Sequence, residues 1–296
     1  MAHRELIVAL GDQHYRIVRP WGDVPAGPAR VTDVTVDLEG QVHVLLRSDP
    51  LTDELTDAVI TLAPDGTRLA SWGAGLIADA HMLATAPDGR LFIVDRDSHQ
   101  ILIFDPSGNR LGGLGVRNAP HRPFNHPTDV AISTGGEIYV CEGYAAGTVH
   151  RFSTEEVQSG CWGKIGTALG EFMNAHAIWL QPDGRVVVAD RENDRLQVFS
   201  PDGVLLTVWT GFKQPLDIWG DDEGCLFVTD LLPSLTKLAS DGTLIGRCRP
   251  VLNGAHGIWG AKDGSLLLAE GNPSRLTRLV PLHRAPPNTV VCGRQG

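Results

Sequence analysis

Short apolar runs of strand length alternate with polar turns along the whole chain. In each repeat an apolar run leads through a Pro-Asp-Gly-type turn into a Val-rich run, which in most repeats ends in an acid. A loop and a third run follow, as in residues 79–105 and 174–199. Runs of this length bounded by turn residues predict β-strands, and Asp-Gly pairs predict hairpin turns between them. The pattern therefore predicts an all-β protein.

The repeats have a regular period. Each starts at an aspartate or a histidine, at the following positions: Asp33, His81, Asp129, His176, Asp217 and His256. Successive starts are 48, 48, 47, 41 and 39 residues apart. Periods of about 40 to 50 residues with four strands per repeat are typical of β-propeller blades. The sequence therefore predicts a six-bladed β-propeller.

The two ends of the chain predict how the ring closes. After residues 274–280 the last repeat has no room for a normal fourth strand, whereas residues 6–10 and 15–18 near the N-terminus resemble strands. We expect residues 1–22 to complete the last blade, which removes exposed sheet edges. Residues 1–296 would then form a single propeller domain, because no blade buries both of its faces alone.

Composition and charge narrow the classes of partner. The formal net charge is −10, the chain has only four lysines, and no run of basic residues occurs, so nucleic acid and anionic membranes are not expected as partners. No apolar run approaches the ~18 residues of a membrane span, and the N-terminus does not resemble a signal peptide. The five cysteines include no Cys-x-x-Cys pair, which favours reduced thiols and a cytoplasmic protein.

Three histidines are the first candidates for a functional site. The first strand of a propeller blade lines the central channel, so His81, His176 and His256 should converge from alternate blades, about 120° apart. Three imidazoles suit a divalent metal such as zinc and leave a coordination position open, as in catalytic sites. The alternative is that they only line the channel and form hydrogen bonds. The aspartates at the other starts would reach the axis or accept hydrogen bonds from nearby backbone amides.

The end of strand two lies at the same face as the start of strand one. Arginines follow this strand end in three repeats, at positions Arg47, Arg96 and Arg191. Arg47 follows Leu46 where the other five repeats have an acid, so Arg47 should be freer to contact a ligand. Tyr144 lies in the same loop position and could act as a general base near a cation. The alternatives are ion pairs between the arginines and the strand-end acids, and a rim aromatic that only packs.

Other histidines are weaker candidates. The loop 112–126 should form a lip over the site, and it contains two rival ligands, His121 and His126, outside the repeat register. The remaining histidines are expected to be inert: His14, His43, His99, His150 and His283.

Residues 124–144 and 188–199 resemble the lyase domain of peptidylglycine α-amidating enzymes, a six-bladed propeller of NHL-type repeats. The resemblance implies cleavage of a peptidyl-α-hydroxyglycine into a peptide amide and glyoxylate. It implies zinc bound by three histidines, matched here by His81, His176 and His256. It also implies a catalytic tyrosine, a substrate-orienting arginine and a further arginine, matched in that order by Tyr144, Arg47 and Arg191.

Two departures and two alternatives qualify this expectation. The family has an aspartate after its last histidine that helps to bind calcium, whereas this chain has Gly257, so calcium is doubtful. The family's cysteine after the tyrosine is Ala145 here. The substrate is expected to be a small molecule or short peptide-like compound, and the oligomeric state is left open. The alternatives are a propeller lactonase or hydrolase and a non-catalytic NHL propeller that binds proteins.

Overall fold

The computed structural model describes residues 5–49 and 56–282, which contain 25 β-strands and one short 3-10 turn, Arg191–Asn193. The strands form six sheets, so the predicted all-β six-bladed propeller is confirmed. No helix in the described ranges is long and apolar enough to cross a membrane. The extension of one domain over residues 1–296 stays a prediction, and His283, Cys292 and the first four residues lie outside the described ranges.

Blades one to three are regular four-stranded antiparallel sheets whose first strand is innermost. Blade one consists of β3 (Arg30–Val36), β4 (Val42–Arg47), β5 (Val59–Leu62) and β6 (Arg68–Trp72). Blade two consists of β7 (Ala80–Thr85), β8 (Leu91–Asp95), β9 (Gln100–Phe104) and β10 (Arg110–Leu114). Blade three consists of β11 (Pro127–Ile132), β12 (Ile138–Glu142), β13 (Thr148–Phe152) and β14 (Gln158–Trp162).

Blades four to six follow the same order, and in blade six the two N-terminal strands supply the fourth and a fifth strand. Blade four consists of β15 (Ala175–Leu180), β16 (Val186–Asp190), β17 (Arg195–Phe199) and β18 (Leu205–Thr210). Blade five consists of β19 (Pro215–Gly220), β20 (Leu226–Asp230), β21 (Leu235–Leu238) and β22 (Leu244–Cys248). Blade six consists of β23 (Gly257–Gly260), β24 (Leu266–Gly271), β25 (Ser274–Leu282), β2 (Gln13–Trp21) and β1 (Ile7–Leu10).

The ring closes where the sequence predicts. β2 pairs antiparallel with β25, with Arg16 opposite Val280 and Ile17 opposite Leu279, and β1 adds a fifth strand at the outer edge. The first and last parts of the chain therefore share one sheet. Hydrogen bonds between residues far apart in sequence hold the ring closed.

Apolar side chains on both faces of the inner strands form the core between neighbouring blades. All five residues of β8, for example, are buried, whereas β6 at the outer edge is mostly exposed. Glycine lets the outer strand of one blade contact the next blade closely. A side chain at Gly108 or Gly203 would collide with the indole ring of Trp72 or Trp162 from the preceding blade. These tryptophans therefore cover the outer parts of the blade interfaces.

A β-bulge interrupts the first strand in blades one to five, near the start that the sequence analysis marked. In blade four Ala175 pairs with Asp190 and Ala177 pairs with Ala189, so His176 is the bulged residue. In blade three the bulged residue is Thr128, and Asp129 takes the next paired position. Bulges of this kind redirect a side chain without ending the strand.

The prediction that aspartates and histidines share one register is therefore wrong by one residue. The counterparts of the three histidines are Thr32, Thr128 and Leu216, each directly before an aspartate. Sequence spacing alone does not reveal this offset, because a bulge changes the count in one strand without changing the residue pattern.

Candidate metal and catalytic site

The three predicted histidines meet at the channel axis. Their ring centroids lie 5.2 Å apart for His81 and His176, 5.1 Å for His81 and His256, and 5.1 Å for His176 and His256. One nitrogen from each ring lies within 4.8 Å of the others. His81 and His176 are fully buried, and His256, directly before β23, is half-buried.

The second nitrogen of each ring fixes its orientation. The Nδ1 atoms of His81 and His176 lie 2.6 Å from the carbonyl oxygens of Thr128 and Leu216, and that of His256 lies 2.9 Å from the carbonyl oxygen of Thr32. A carbonyl only accepts, so each Nδ1 carries the proton and each Nε2 has a free lone pair. His176 Nε2 is buried and has no hydrogen-bond partner within the described ranges.

Burial also keeps these rings neutral. It holds the pKa of His81 and of His176 well below the ordinary value, and nearby histidines and arginines lower both further. Burial lowers the pKa of His256 to about 4. Neutral imidazoles with free Nε2 atoms are the form that binds a metal, so the donor set fits a divalent ion.

The bulge explains why the aspartates do not join this cluster. Asp129 accepts hydrogen bonds from the amides of Val130, at 2.7 Å, and of Ile178 in the next blade, at 2.8 Å. Asp33 and Asp217 do the same at their own blade interfaces. The alternative that the aspartates accept hydrogen bonds from backbone amides is the one the structure shows.

Tyr144 lies directly beside the three histidines, in the loop after β12. Its hydroxyl is 3.1 Å from His81 Nε2 and 3.5 Å from a guanidinium nitrogen of Arg191. The guanidinium of Arg96 lies over the phenol ring, 4.9 Å from its centroid. Tyr144 is 41% exposed, so its hydroxyl lies between the histidines and the solvent-facing mouth of the channel.

Arg47 is not free of an acid, contrary to the prediction. Its Nε lies 2.5 Å from Oδ1 of Asp79, which comes from the loop before β7 in the neighbouring blade. Asp79 also pairs with Arg96, whose Nε is 2.9 Å from its Oδ2. Burial raises the pKa of Asp79, although the two arginines oppose this shift. The buried carboxylate therefore positions two arginines at the channel mouth, a role that no local sequence pattern predicts.

The alternative that the arginines pair with the strand-end acids is also wrong for this face. Arg96 pairs with Asp97 as well as Asp79, and Arg191 pairs with Glu192 at 2.6 Å. In blades two to five the strand-end acids are instead buried and accept hydrogen bonds from backbone amides of the loop before strand one. Asp95, for example, accepts the amide of Asp79 at 2.8 Å. These acids fix the loops, and the arginines remain at the mouth.

The rival histidines lie outside the cluster. His121 is exposed, and the ring of His126 packs edge-on against His99, with centroids 4.5 Å apart. His43 is buried with Asp37, and His150 pairs with Glu142. In the described part of the chain the one further group that could hold a metal is Asp221, Glu223 and Cys225, in a partly exposed hairpin turn.

The position of the family's calcium aspartate gives no room for a side chain. A Cβ atom at Gly257 would lie 2.0 Å from Oδ1 of Asp33. This contact agrees with the doubt about calcium. The four cysteines in the described ranges are free thiols.

Comparison with known proteins finds relatives of the predicted type. The chain is 28% identical over 221 residues to peptidylglycine alpha-amidating monooxygenase of Rattus norvegicus, covering 65% of this chain and 23% of the rat protein. It is 27% identical over 232 residues to a probable peptidyl-alpha-hydroxyglycine alpha-amidating lyase of Caenorhabditis elegans, covering 70% and 65%. The resemblance to this lyase family is thus confirmed, although the match spans less than two thirds of either relative.

No family model matches the chain. Among solved structures, a gluconolactonase from Xanthomonas campestris superposes with a TM-score of 0.67 at 14% identity, covering 92% of this chain and 91% of the other. At that identity the similarity concerns the propeller fold. The relatives therefore indicate a lyase-like propeller enzyme, and the chemistry depends on the site.

Proposed function

We propose that the protein is a metal-dependent carbon–nitrogen lyase that cleaves an α-hydroxyglycine-type amide or a related small hydroxylated substrate. One observation carries the proposal: three free Nε2 atoms converge at the axis, and a tyrosine hydroxyl lies 3.1 Å from one of them. Relatives that carry the lyase name support the choice of reaction.

The donor set supports zinc as the ion. Three neutral imidazoles, each fixed by a carbonyl at Nδ1, are typical of catalytic zinc sites, and His176 Nε2 lacks any other partner in the described ranges. His81, His176 and His256 would hold the ion. When bound, it would supply Lewis-acid chemistry that polarises a substrate oxygen.

The reaction assigns a proton transfer to Tyr144. Its phenolate would take the proton of the substrate hydroxyl, and the resulting alkoxide would collapse to a carbonyl as the carbon–nitrogen bond breaks. Tyr144 would then return the proton to the leaving amide nitrogen, so the products are an amide and an aldehyde acid. Arg191 and Arg96 lie against the phenol and would stabilise its negative charge.

The rim of the site suits an acidic substrate with an apolar portion. Arg47, held by Asp79, would grip the substrate carboxylate through two parallel hydrogen bonds. Blade five lies across the axis from blade two, which carries Arg96. The loop after β20 in blade five exposes Leu231 and Leu232. An acyl or peptide chain of the substrate would contact these leucines. We therefore propose a small molecule or short peptide-like compound as the substrate.

Metal content and glyoxylate release from a peptidyl-α-hydroxyglycine test this proposal together. We expect about one divalent ion per chain and turnover that a chelator abolishes and zinc restores. A metal-free protein with no turnover on the peptide after zinc addition would exclude the proposal. Turnover without metal would exclude the metal's role but retain the lyase reaction.

The gluconolactonase-like structure leaves a second candidate, a lactonase or hydrolase. Asp33, Asp129 and Asp217 use both oxygens on backbone amides, so the carboxylates of the channel are already engaged. A lactone hydrolysis assay distinguishes the two enzymes. A non-catalytic NHL propeller would show neither activity. The cytoplasmic location and the absence of nucleic-acid or membrane partners stay predictions.

A further inference from the structure

The opposite end of the channel has a strongly asymmetric lining. In blades two to six, the residue three positions beyond the histidine counterpart in the first strand lines this end, whereas the equivalent residue of blade one is fully buried. Blades four, five and six place tryptophan there, and blades one, two and three place small residues: Trp179, Trp219, Trp259, Thr35, Ala84 and Ala131. Closure of the propeller does not require tryptophan at this position, because the other three blades have small residues there.

Two glycines make room for the indoles. A Cβ atom at Gly220 would lie 2.5 Å from Trp179 Nε1, and one at Gly260 would lie 2.1 Å from the ring of Trp219. The three indoles form a continuous wall, with centroids 6.4 Å apart for Trp179 and Trp219 and 5.9 Å for Trp179 and Trp259. All three rings are only half-buried, so they present apolar area to the channel.

The wall faces a cavity of about 870 Å³, large enough for a small organic molecule. None of the proposed catalytic residues lines it. Seven carboxyl side chains and two lysines do, so the cavity is acidic. Both lysines have other contacts: Lys262 Nζ donates to the carbonyl oxygen of Leu38, and Lys237 lies over the ring of Phe227.

Three buried acids form the inner end of the cavity. Asp33, Asp129 and Asp217 line it, and burial raises the pKa of each. Their mutual repulsion contributes to the rise for Asp33 and Asp217. A positive charge nearby would relieve that repulsion, and the faces of indole rings attract cations.

We propose that this cavity is a second ligand site, separate from the histidine cluster, and that it binds a small organic cation such as a quaternary ammonium compound. Trp179, Trp219 and Trp259 contact the cationic head, and Asp221 and Asp222 in the lining add negative charge. The small residues Ala84 and Ala131 leave the opposite side of the cavity open for the rest of the ligand. This inference is independent of the proposed lyase reaction.

Titration with choline chloride, followed by nuclear magnetic resonance of the seven indole N–H groups, tests the proposal. The variants Trp179→Leu, Trp219→Leu and Trp259→Leu each remove one indole signal and so assign it. We expect these three signals to shift saturably in the wild-type protein. The matched neutral control is 3,3-dimethylbutan-1-ol, which has the same shape without the charge. Choline should bind at least roughly tenfold more tightly than this alcohol, because only the cation gains the indole interaction.

Two variants separate recognition from general damage. Trp219→Leu should weaken choline binding by roughly fivefold or more and leave binding of the alcohol nearly unchanged, whereas Trp219→Phe should retain part of the affinity. His176→Ala should leave choline binding unchanged, because it lies in the other site. Equal binding of choline and the alcohol, or no saturable shift of these indoles at ~50 mM choline, would overturn the proposal.

Discussion

Two rings of side chains alternate around the same channel, and they satisfy their hydrogen bonds in opposite ways. His81, His176 and His256 each use one nitrogen on a carbonyl of the next blade and keep the other unprotonated, towards the axis. The aspartates, one position further along their strands, use both oxygens on backbone amides. Their cross-blade bonds run from Asp33, Asp129 and Asp217 to the amides of Leu83, Ile178 and Ile258.

The difference separates side chains that could bind a ligand from side chains that hold neighbouring blades together. Each ring joins alternate pairs of blades, so together the six side chains bridge every blade interface. Each histidine has an unprotonated Nε2 at the axis, and the Tyr144 hydroxyl contacts that of His81, whereas each aspartate oxygen already accepts a backbone amide. A shift of one residue along a bulged strand therefore decides whether a polar side chain can bind a ligand or only holds two blades together.

The largest loss of metal affinity and turnover should come from removing one histidine. His176→Ala deletes a donor atom that has no other partner in the described ranges, so metal affinity should fall by more than about 100-fold and turnover should vanish with it. Metal analysis and glyoxylate release measure both. Asp129→Asn is the matched control and should keep its metal. A His176→Ala protein with a full metal complement would contradict the assignment.

Tyr144→Phe should lower kcat by about 10²- to 10⁴-fold, because the variant cannot carry the proton. Metal content should stay unchanged. Tyr139→Phe is the matched control, since that hydroxyl lies 3.4 Å from the carbonyl oxygen of Pro201, away from the channel. Equal turnover of the Tyr144→Phe and wild-type proteins would exclude Tyr144 as the proton carrier.

The aspartate ring should affect stability more than chemistry. Asp129→Ala leaves two buried amides without their acceptor, which should lower the free energy of unfolding by about 2–4 kcal/mol. Asp65→Ala, in an exposed turn, should have a much smaller effect, because solvent replaces the lost acceptor. Denaturant titration measures both values. A loss at Asp129 no larger than at Asp65 would show that the cross-blade bonds contribute little.

The stability of the protein should also depend on pH through the carboxyl group of Asp129. Burial raises the pKa of Asp129 from 3.8 to about 7, so between these pH values the folded protein holds a proton that the unfolded chain has released. This contribution is fully present below about pH 4 and is lost as the pH rises to about 7. Relative to Asp129→Asn, wild-type stability should decline by on the order of 1 kcal/mol per pH unit. If the free energy of unfolding changes with pH in the same way in both proteins, the raised pKa of Asp129 is wrong.

The smallest effect should come from the rim. Arg47→Lys replaces the planar fork with a point charge, so KM should rise by about tenfold with little change in kcat. Asp79→Asn should act in the same direction, because it loosens Arg47. Steady-state kinetics measures both, with Arg68→Lys on an outer strand as the control. A fall in kcat at constant KM would show that Arg47 acts in the transition state instead.

Much of the fold could be predicted because its signals are local. The hairpin turns, the period of the repeats and the strand-like N-terminus each depend on a few neighbouring residues, and together they predict six blades and the closure. The histidine cluster could also be predicted from the sequence, since three histidines recur in alternate repeats. Whether they hold an ion remains a prediction.

The errors concern contacts between distant residues. The sequence predicts a free Arg47 because its neighbour is Leu46, whereas its acidic partner is Asp79, 32 residues away in the next blade. Arg96 occupies the same strand-end position as Arg47 and Arg191, and its contact with the phenol ring of Tyr144 also joins residues that are far apart in sequence. Sequence spacing cannot show which blade supplies the partner of a long side chain.

The sequence by itself determined the number of blades, the face on which the candidate site lies and the residue types that could bind a metal, because strand and turn preferences are local properties. Only the tertiary structure decided which side chains remain available. The bulges shift the aspartates by one position onto backbone amides, and closure of the ring brings three Nε2 atoms together. Availability depends on the hydrogen bonds that neighbouring blades use up, and those exist only once the blades are packed.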